Sequence, residues 1–553
     1  MSAAGPPQTV PDMLVRAVGD HGDEPALYVV RDGKYQPVTW NTLARDVRRL
    51  AAVLARETAV GDRVAQVSEN RYEWIVADLA ILWIGAVHVS IHATLSGPQI
   101  AHQIAHSGAR WVLMSGREQA EMLGGQTDLF SSRRATVYDD WPERSAALPA
   151  VELLSAVIGT PSTAELQSVG THRASADGLA ALLYTSGTTG DPKGVMLNHR
   201  NLASNAAAVS QIHRLGPDDL GLCLLPLSHI FARTCDLYVW LYQAGRLALA
   251  ENRETVLDNC QSIHPTTINA VPYFYDKLCR LLHATAATSE PGALRKLLGG
   301  RIRFCMSGGA ALPDETARGF HRQGVPLLQG YGLSETSPVI SANPPDDPGI
   351  GTVGTPVPGV EVAIAADGEI LTRGPHVMVG YWQDPEATAA VLRDGWLHTG
   401  DLGRFDQAGR LIINGRKKEL IVTATGKNIA PSHLEALLTT SPLIAQAFVT
   451  GDGRNYLAAL IVPDGQNLQA EIVARNIPVD AADLMLTLPQ VQQLYREQID
   501  DRLGELSRHE QIGRFKLLPR AFSLEQGELT GKLSLRREVV AKHFAESIDG
   551  LYD

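Results

Sequence analysis

The chain reads as an α/β protein: a large N-terminal domain of layered α/β subdomains with a small β-subdomain, then a smaller α+β C-terminal domain. Three observations predict this. Short apolar runs alternate with segments of helical periodicity through the first half of the chain, the signature of a largely parallel sheet layered with helices. Between residues 351 and 406 the composition shifts to frequent glycines and short β-prone runs. The length of 553 residues allows a large core and more than one domain.

Taken in order, residues 12–19 are helical, and 26–30 with 35–38 form a hairpin across Asp32-Gly33. Residues 40–56 place Leu43, Val47, Leu50, Val53 and Leu54 on one helix face. A strand at 64–67, a helix ending at Ile84 and a strand at 87–91 follow, and the alternation continues through 100–107 and 111–114. The apolar run 79–87, bounded by Asp78 and His88, is too short to span a bilayer and reads as a buried helix. Residues 155–176, rich in Ser, Thr and Gly, are a surface connection.

The connection leads to an apolar strand at 179–183 and then to Thr185-Ser186-Gly187-Thr188-Thr189-Gly190-Asp191-Pro192-Lys193-Gly194. Glycines let backbone N–H groups turn inward around an anion, the hydroxyls add donors, and Lys193 adds a mobile charge. Asn198 is a cap for a helix beginning near His199. The glycine-lysine pair of a Walker A loop is missing, so the segment is a triphosphate clamp of another kind.

Further motifs follow. Residues 222–229, LCLLPLSH, form a strand whose tip carries His229, where functional side chains gather in α/β proteins. A strand at 302–306 runs into Ser307-Gly308-Gly309-Ala310-Ala311, a small-residue turn. Another at 325–328 ends in Gln329-Gly330-Tyr331-Gly332-Leu333-Ser334-Glu335-Thr336. Here flanking glycines would free the Tyr331 ring to stack on a base, and Glu335 offers the hard oxygen that Mg²⁺ prefers. In His398-Thr399-Gly400-Asp401 the Asp401 carboxylate can accept from two ribose hydroxyls. Beyond Arg416-Lys417-Lys418-Glu419 come a strand at 420–423, a loop at 426–431, a helix at 432–438, strands at 444–450 and 457–462, and a long helical segment at 484–506.

These motifs in this order, YTSGTTGDPKGV and YGLSETSP above all, resemble the adenylate-forming superfamily of acyl-CoA synthetases, luciferases and peptide-synthetase adenylation domains, over residues 38–540. LPLSHIFAR is similar to the histidine motif of its long-chain fatty acyl-CoA synthetases, with Ala232 where many relatives carry glutamate. The resemblance implies an acid-thiol ligase that joins a carboxylate to ATP as acyl-AMP with release of pyrophosphate, then forms the thioester with coenzyme A. It implies that His229 lies beside the carboxylate or closes the acyl pocket. Gly308, Gly309 and Ala310 would pass along the adenine, and Thr185, Ser334, Glu335 and Thr336 would hold ATP and Mg²⁺, with Thr185 and Glu335 at the metal. Arg416 would lie near ribose and phosphate, and Lys418 at an interdomain hinge, 416–419, between domains 1–415 and 420–553. The catalytic lysine falls in Glu528-Leu529-Thr530-Gly531-Lys532-Leu533-Ser534. A Thr-Gly-Lys match makes it Lys532; a gapless match to the long-chain form places Ser534 there.

A net charge of −11 argues against nucleic-acid partners and against strong attraction to anionic membranes, leaving at most peripheral contact. Five cysteines without a CxxC pair point to reduced thiols, and no signal peptide is visible, so the expected location is cytoplasmic. The partners expected are a fatty or other carboxylic acid, coenzyme A, and, as an alternative acceptor, an acyl carrier protein. A non-catalytic nucleotide-binding relative is the alternative outside enzymes.

Overall fold

A computed structural model describes residues 5–124, 126–139, 151–159, 161–185, 192–252, 254–284, 291–478, 482–523, 525–529 and 535–553. Packing divides the chain into two compact units, one of residues 1–308, 319–363 and 371–399, the other of 309–318, 364–370 and 400–553. The C-terminal unit thus takes in residues 400–415 as well.

The first unit holds two sheets. In the nine-stranded sheet the order is Thr355–Pro356, Val339–Ala342, Leu327–Gly332, Phe304–Ser307, Thr267–Ala270, Leu220–Cys223, Arg246–Leu249, Pro25–Arg31 and Lys34–Thr39. Its six strands from Leu327–Gly332 to Pro25–Arg31 are parallel, and antiparallel strands close both edges. The eight-stranded sheet runs Gly380–Tyr381, Lys193–Asn198, Leu179–Thr185, Val87–Ile91, Arg63–Val67, Trp111–Met114, Arg134–Val137 and Val151–Leu153. It is parallel from Leu179–Thr185 onward.

Local chemistry explains several boundaries. Thr9 and Asp12 close a reciprocal capping box at the start of helix Val10–His21. Thr39 caps helix Trp40–Leu54, whose first residue stacks on Trp240 with ring centroids 4.7 Å apart. Asn198 Oδ1 accepts from Asn201 N at 2.8 Å and starts helix His199–His213.

Three expectations change. The apolar run 79–87 is not one helix: Tyr72–Trp83 ends before Gly85, whose φ of +75° turns the chain into strand Val87–Ile91. The stretch 155–176 contains helices Leu154–Ile158 and Thr163–Ser168, the second started by a Ser162/Glu165 capping box. A strand, Lys193–Asn198, intervenes between the glycine-rich loop and its helix, because it can pair antiparallel with Leu179–Thr185.

In the second unit Leu457–Pro463 pairs antiparallel with Ile444–Thr450 and parallel with Ile512–Leu517. Alternate residues of these strands feed two cores. Ala447, Val449, Ala459 and Ile461 pack with helices Pro431–Leu438 and Pro489–Leu503. Phe448, Ala458, Leu460 and Val462 pack with Val540 of helix Arg537–His543. Period-two alternation thus buries both faces of the sheet. Among the described residues no helix is long and apolar enough to cross a membrane, and the five cysteines are free thiols.

Candidate active site

The parallel strands of the nine-stranded sheet end together. Register pairs Cys223 with Asn269, Ala270 with Ser307, and Ser307 with Gln329, so three predicted segments begin at the same edge of the sheet: Gly308 and Gln329–Thr336 at adjacent strand tips, and Leu225–His229 one strand, Thr267–Ala270, further along. The carboxyl edge of such a sheet is where α/β proteins bind ligands.

His229 does not hang freely at its tip. It caps the short helix Ile230–Ala232, its Nδ1 accepting from Phe231 N at 3.1 Å. In the neutral ring that acceptor role places the proton on Nε2. The Phe231 ring covers Gly308; a Cβ there would lie 3.0 Å from Phe231 Cζ. Gly308 thus packs tightly under an aromatic neighbour that sequence reasoning did not single out. Gly309, at φ +81° with open space where a Cβ would be, and Ala310 are both exposed; they lie in the 309–318 segment that groups with the second unit.

Lys193, which follows the first glycine-rich loop, and Glu335 of the second meet at Tyr381. Antiparallel pairing sets Thr185 opposite Lys193. Strand Gly380–Tyr381 then adds to the other edge of Lys193–Asn198, with Trp382 N donating to Gly194 O at 2.7 Å. Lys193 Nζ lies 5.1 Å from the Tyr381 ring centroid, a cation held over an aromatic face. From the same ring, Oη donates to Glu335 Oε1 at 2.8 Å, while Met378 N donates to Glu335 O at 2.8 Å. Burial, reinforced by the Glu335 carboxylate, raises the Tyr381 phenol above its ordinary range, so it stays a donor. Nothing in the sequence marks Tyr381: it sits in an apolar VMVGYW run, and its role depends on register.

The Gln329–Thr336 segment is a strand followed by a tight 3₁₀ turn, Ser334–Thr336. Gly332 is demanded by packing rather than by freedom of the Tyr331 ring, since a Cβ there would lie 1.7 Å from Pro338 O. Gly330 has ordinary room, 3.4 Å from Ser341 O. Thr336 is fully buried; its Oγ1 accepts from Leu333 N at 2.9 Å and donates within the same turn, to Leu333 O and Pro338 O. Gln329, Tyr331, Ser334 and Glu335 are half-buried around it.

In the second unit, Asp401 and Arg416 are register partners, with Arg416 Nε 3.1 Å from Asp401 Oδ1. Buried Glu369 accepts from Gly400 N at 3.0 Å and pairs with Lys417 Nζ at 3.1 Å, bracing this hairpin. Lys418 lies in the adjoining short turn Lys417–Glu419. Ser186, Gly187, Thr188, Thr189, Gly190, Lys532 and Ser534 lie outside the described residues. The flanks of the last two are described: Leu529 bridges Leu535, and Arg536 N donates to Glu528 O at 2.8 Å.

The family model for AMP-binding enzymes matches residues 14–382, and the model for the C-terminal domain of AMP-binding enzymes matches 418–553. The chain belongs to the AMP-binding enzyme family. Within this family it is 32% identical to long-chain-fatty-acid–CoA ligase FadD15 of Mycobacterium bovis, over 98% of this chain and 97% of that one. It is 30% identical to long-chain-fatty-acid–CoA ligase 5 of Rattus norvegicus, over 88% and 79%. The fold matches the anthranilate CoA ligase AuaEII, crystallised with anthranoyl-AMP, at a TM-score of 0.80 and 20% identity, covering all of both chains. ATP-bound MatB from Rhodopseudomonas palustris matches at 0.76 and 25%, over 97% of this chain and 99% of that one.

Proposed function

We propose that this AMP-binding enzyme is an ATP-dependent fatty acyl-CoA synthetase. The observation that carries the reading is the meeting of Lys193 and Glu335 on Tyr381, in a chain that matches long-chain fatty acid ligases along nearly its whole length.

The first step opposes two anions. A carboxylate oxygen attacks the α-phosphorus of ATP, the bond to the β-phosphate oxygen breaks, and pyrophosphate leaves. Oriented positive groups must offset that repulsion. Lys193 and the amides of the 185–194 loop serve the departing phosphates, and His229 donates Nε2–H toward the acid. Gly309 and Ala310 with Gln329–Tyr331 receive the base, and Asp401 and Arg416 hold ribose and phosphate. The Glu335 carboxylate and Thr185 hydroxyl are hard-oxygen donors that fit Mg²⁺, which would neutralise triphosphate charge when bound. Lys532 bridges the acid and the α-phosphate. In the second step the coenzyme A thiol gives its proton to solvent, its sulfur attacks the acyl carbonyl, and the bond from that carbon to the phosphate oxygen breaks, so that AMP leaves. Between the steps, segment 416–419 acts as a hinge for residues 420–553.

Pyrophosphate exchange with a panel of saturated acids, with and without coenzyme A, tests this reading. Exchange with fatty acids followed by thioester formation is the expected result. Exchange with product only on an acyl carrier protein would move the acceptor; ATP binding without exchange would make the chain a non-catalytic relative. Lys532→Ala should abolish exchange, and an unaffected variant would shift the role to another residue of the 530–534 loop.

A further inference from the structure

Strand Val87–Ile91 lies in the middle of the eight-stranded sheet, yet its sequence alternates: Val87, Val89 and Ile91 enter an apolar core, while His88, Ser90 and, one residue past its end, His92 share the other face. Burying a polar row inside a sheet is costly unless each member is bonded. Every member reaches one short segment, 228–233, which comes from the end of the other sheet. His88 Nδ1 lies 2.9 Å from Arg233 Nη2 and 2.6 Å from Asp78 Oδ1. Arg233 is fully buried, salt-bridged to Asp78, and donates to Tyr238 Oη at 2.7 Å and to Ser90 Oγ at 3.4 Å. Ser90 Oγ donates to Ser228 O at 3.3 Å. His92 Nδ1 is 2.7 Å from Ser228 Oγ, and its ring faces that of His229 with centroids 6.1 Å apart and planes within 23°. Arg233 N in turn donates to His229 O at 3.0 Å.

Burial, with the Arg233 guanidinium adding to it, pushes the His88 imidazole down to about 4. That ring is neutral at physiological pH, and the charge balance of the cluster is one arginine against one aspartate. Removing either would leave a buried charge unpaired and disturb folding at large. The outer rung is different: His92 is only half-buried, and the Ser228 hydroxyl bonded to its Nδ1 carries no charge.

From this geometry we infer that His92 is a positioning residue for the acid-binding step: through Ser228 it fixes the turn that aims His229, and it sets how tightly the carboxylic acid is held. The inference rests on the proposed placement of His229 beside the acid. It makes the alternating face of one strand a clamp on the tip of a strand from the other sheet.

The test uses the full-length enzyme and the acid dependence of pyrophosphate exchange. His92→Ala should raise the KM for a saturated long-chain acid about five- to tenfold, the loss expected for one well-aligned hydrogen bond, with the KM for ATP and the thermal midpoint unchanged. Ser228→Ala should match it, and the double variant should be no worse than either single. His92→Asn, whose side-chain amide reaches the position of Nδ1, should restore most of the affinity. An unchanged acid KM in His92→Ala, with His229→Ala still raising it, would overturn the inference while leaving the His229 reading intact. A parallel rise in both KM values with a lowered thermal midpoint would overturn it too, by showing a general packing role. If His229→Ala itself leaves the acid KM unchanged, the placement of the acid fails and the inference falls with it.

Discussion

Removing one oxygen atom tests the meeting point of Lys193 and Glu335. Tyr381→Phe keeps the ring under Lys193 and deletes only the hydroxyl that donates to Glu335 Oε1 at 2.8 Å. A hydrogen bond to a charged group contributes about 1.5–3 kcal/mol net. Tyr381 is 8% exposed, but Glu335 is half-buried and water can replace the lost donor, so the loss falls at or just below the bottom of that range, about 1–1.5 kcal/mol. If Glu335 is oriented by this bond to hold Mg²⁺, the Mg²⁺ concentration for half-maximal exchange should rise about five- to tenfold, since 1.4 kcal/mol is a factor of about ten. Maximal exchange at saturating Mg²⁺ should be largely kept, because the phenol touches no reacting atom. The assay is a Mg²⁺ titration of pyrophosphate exchange at fixed ATP and acid, with circular dichroism to verify the fold. A variant with a wild-type Mg²⁺ curve would refute the reasoning and reduce Tyr381 to a packing residue.

Gly332→Ala drives a methyl into Pro338 O and should destabilise the first unit at the upper end of the ~1–3 kcal/mol range for overpacking, whereas Gly330→Ala should be tolerated; urea unfolding followed by tryptophan fluorescence separates the two. Lys418→Pro restrains the proposed hinge and should stall thioester formation while sparing exchange; equal loss of both would discredit the hinge. Glu528 is held by Arg520 and also by His543, which pushes its carboxyl down to about 2. A carboxyl lower in the folded state than its ordinary value near 4.3 contributes stability above that pH and loses it as pH falls toward 2. Protection factors of amides in strands Ile444–Thr450 and Leu457–Pro463, corrected for the intrinsic pH dependence of exchange, should therefore fall across that window, and Glu528→Gln should flatten the dependence while lowering protection at neutral pH.

What could be read beforehand were features whose cause is local. Asn198 announces a helix because an Asn cap works through its own neighbours, and Ser162 and Glu165 spell a capping box inside a stretch whose Ser, Thr and Gly content reads as a connection. The parallel layering followed from apolar strands alternating with helical periodicity. Tyr381 was hidden for the opposite reason. Its neighbours in sequence are apolar, and its partners become neighbours only when Gly380–Tyr381 pairs with Met196 and Val195. Gly332 was misjudged in kind: the glycine was expected, but the close approach of Pro338 that requires it belongs to a turn still to be folded.

The polar row His88, Ser90 and His92 lies between these cases, and it shows how sequence and site are connected. Alternation in a strand ordinarily marks one wet face, yet His88 and Ser90 are buried to 0% and 3% exposure. A strand in the middle of a parallel sheet has no wet face to offer, so the polar side of the pattern must meet other polar groups. Those groups are Asp78 from the preceding helix and Ser228 and Arg233 from the far sheet. Two sheets that could slide on apolar contacts alone are thereby fixed in register beside His229, the residue proposed to face the acid. An apolar seam would resist dissociation equally well, but its energy changes little with small sliding displacements, whereas hydrogen bonds weaken steeply with misalignment. The polar row therefore trades some burial energy for definition of the site, and a His92 variant should disturb acid binding before it disturbs stability.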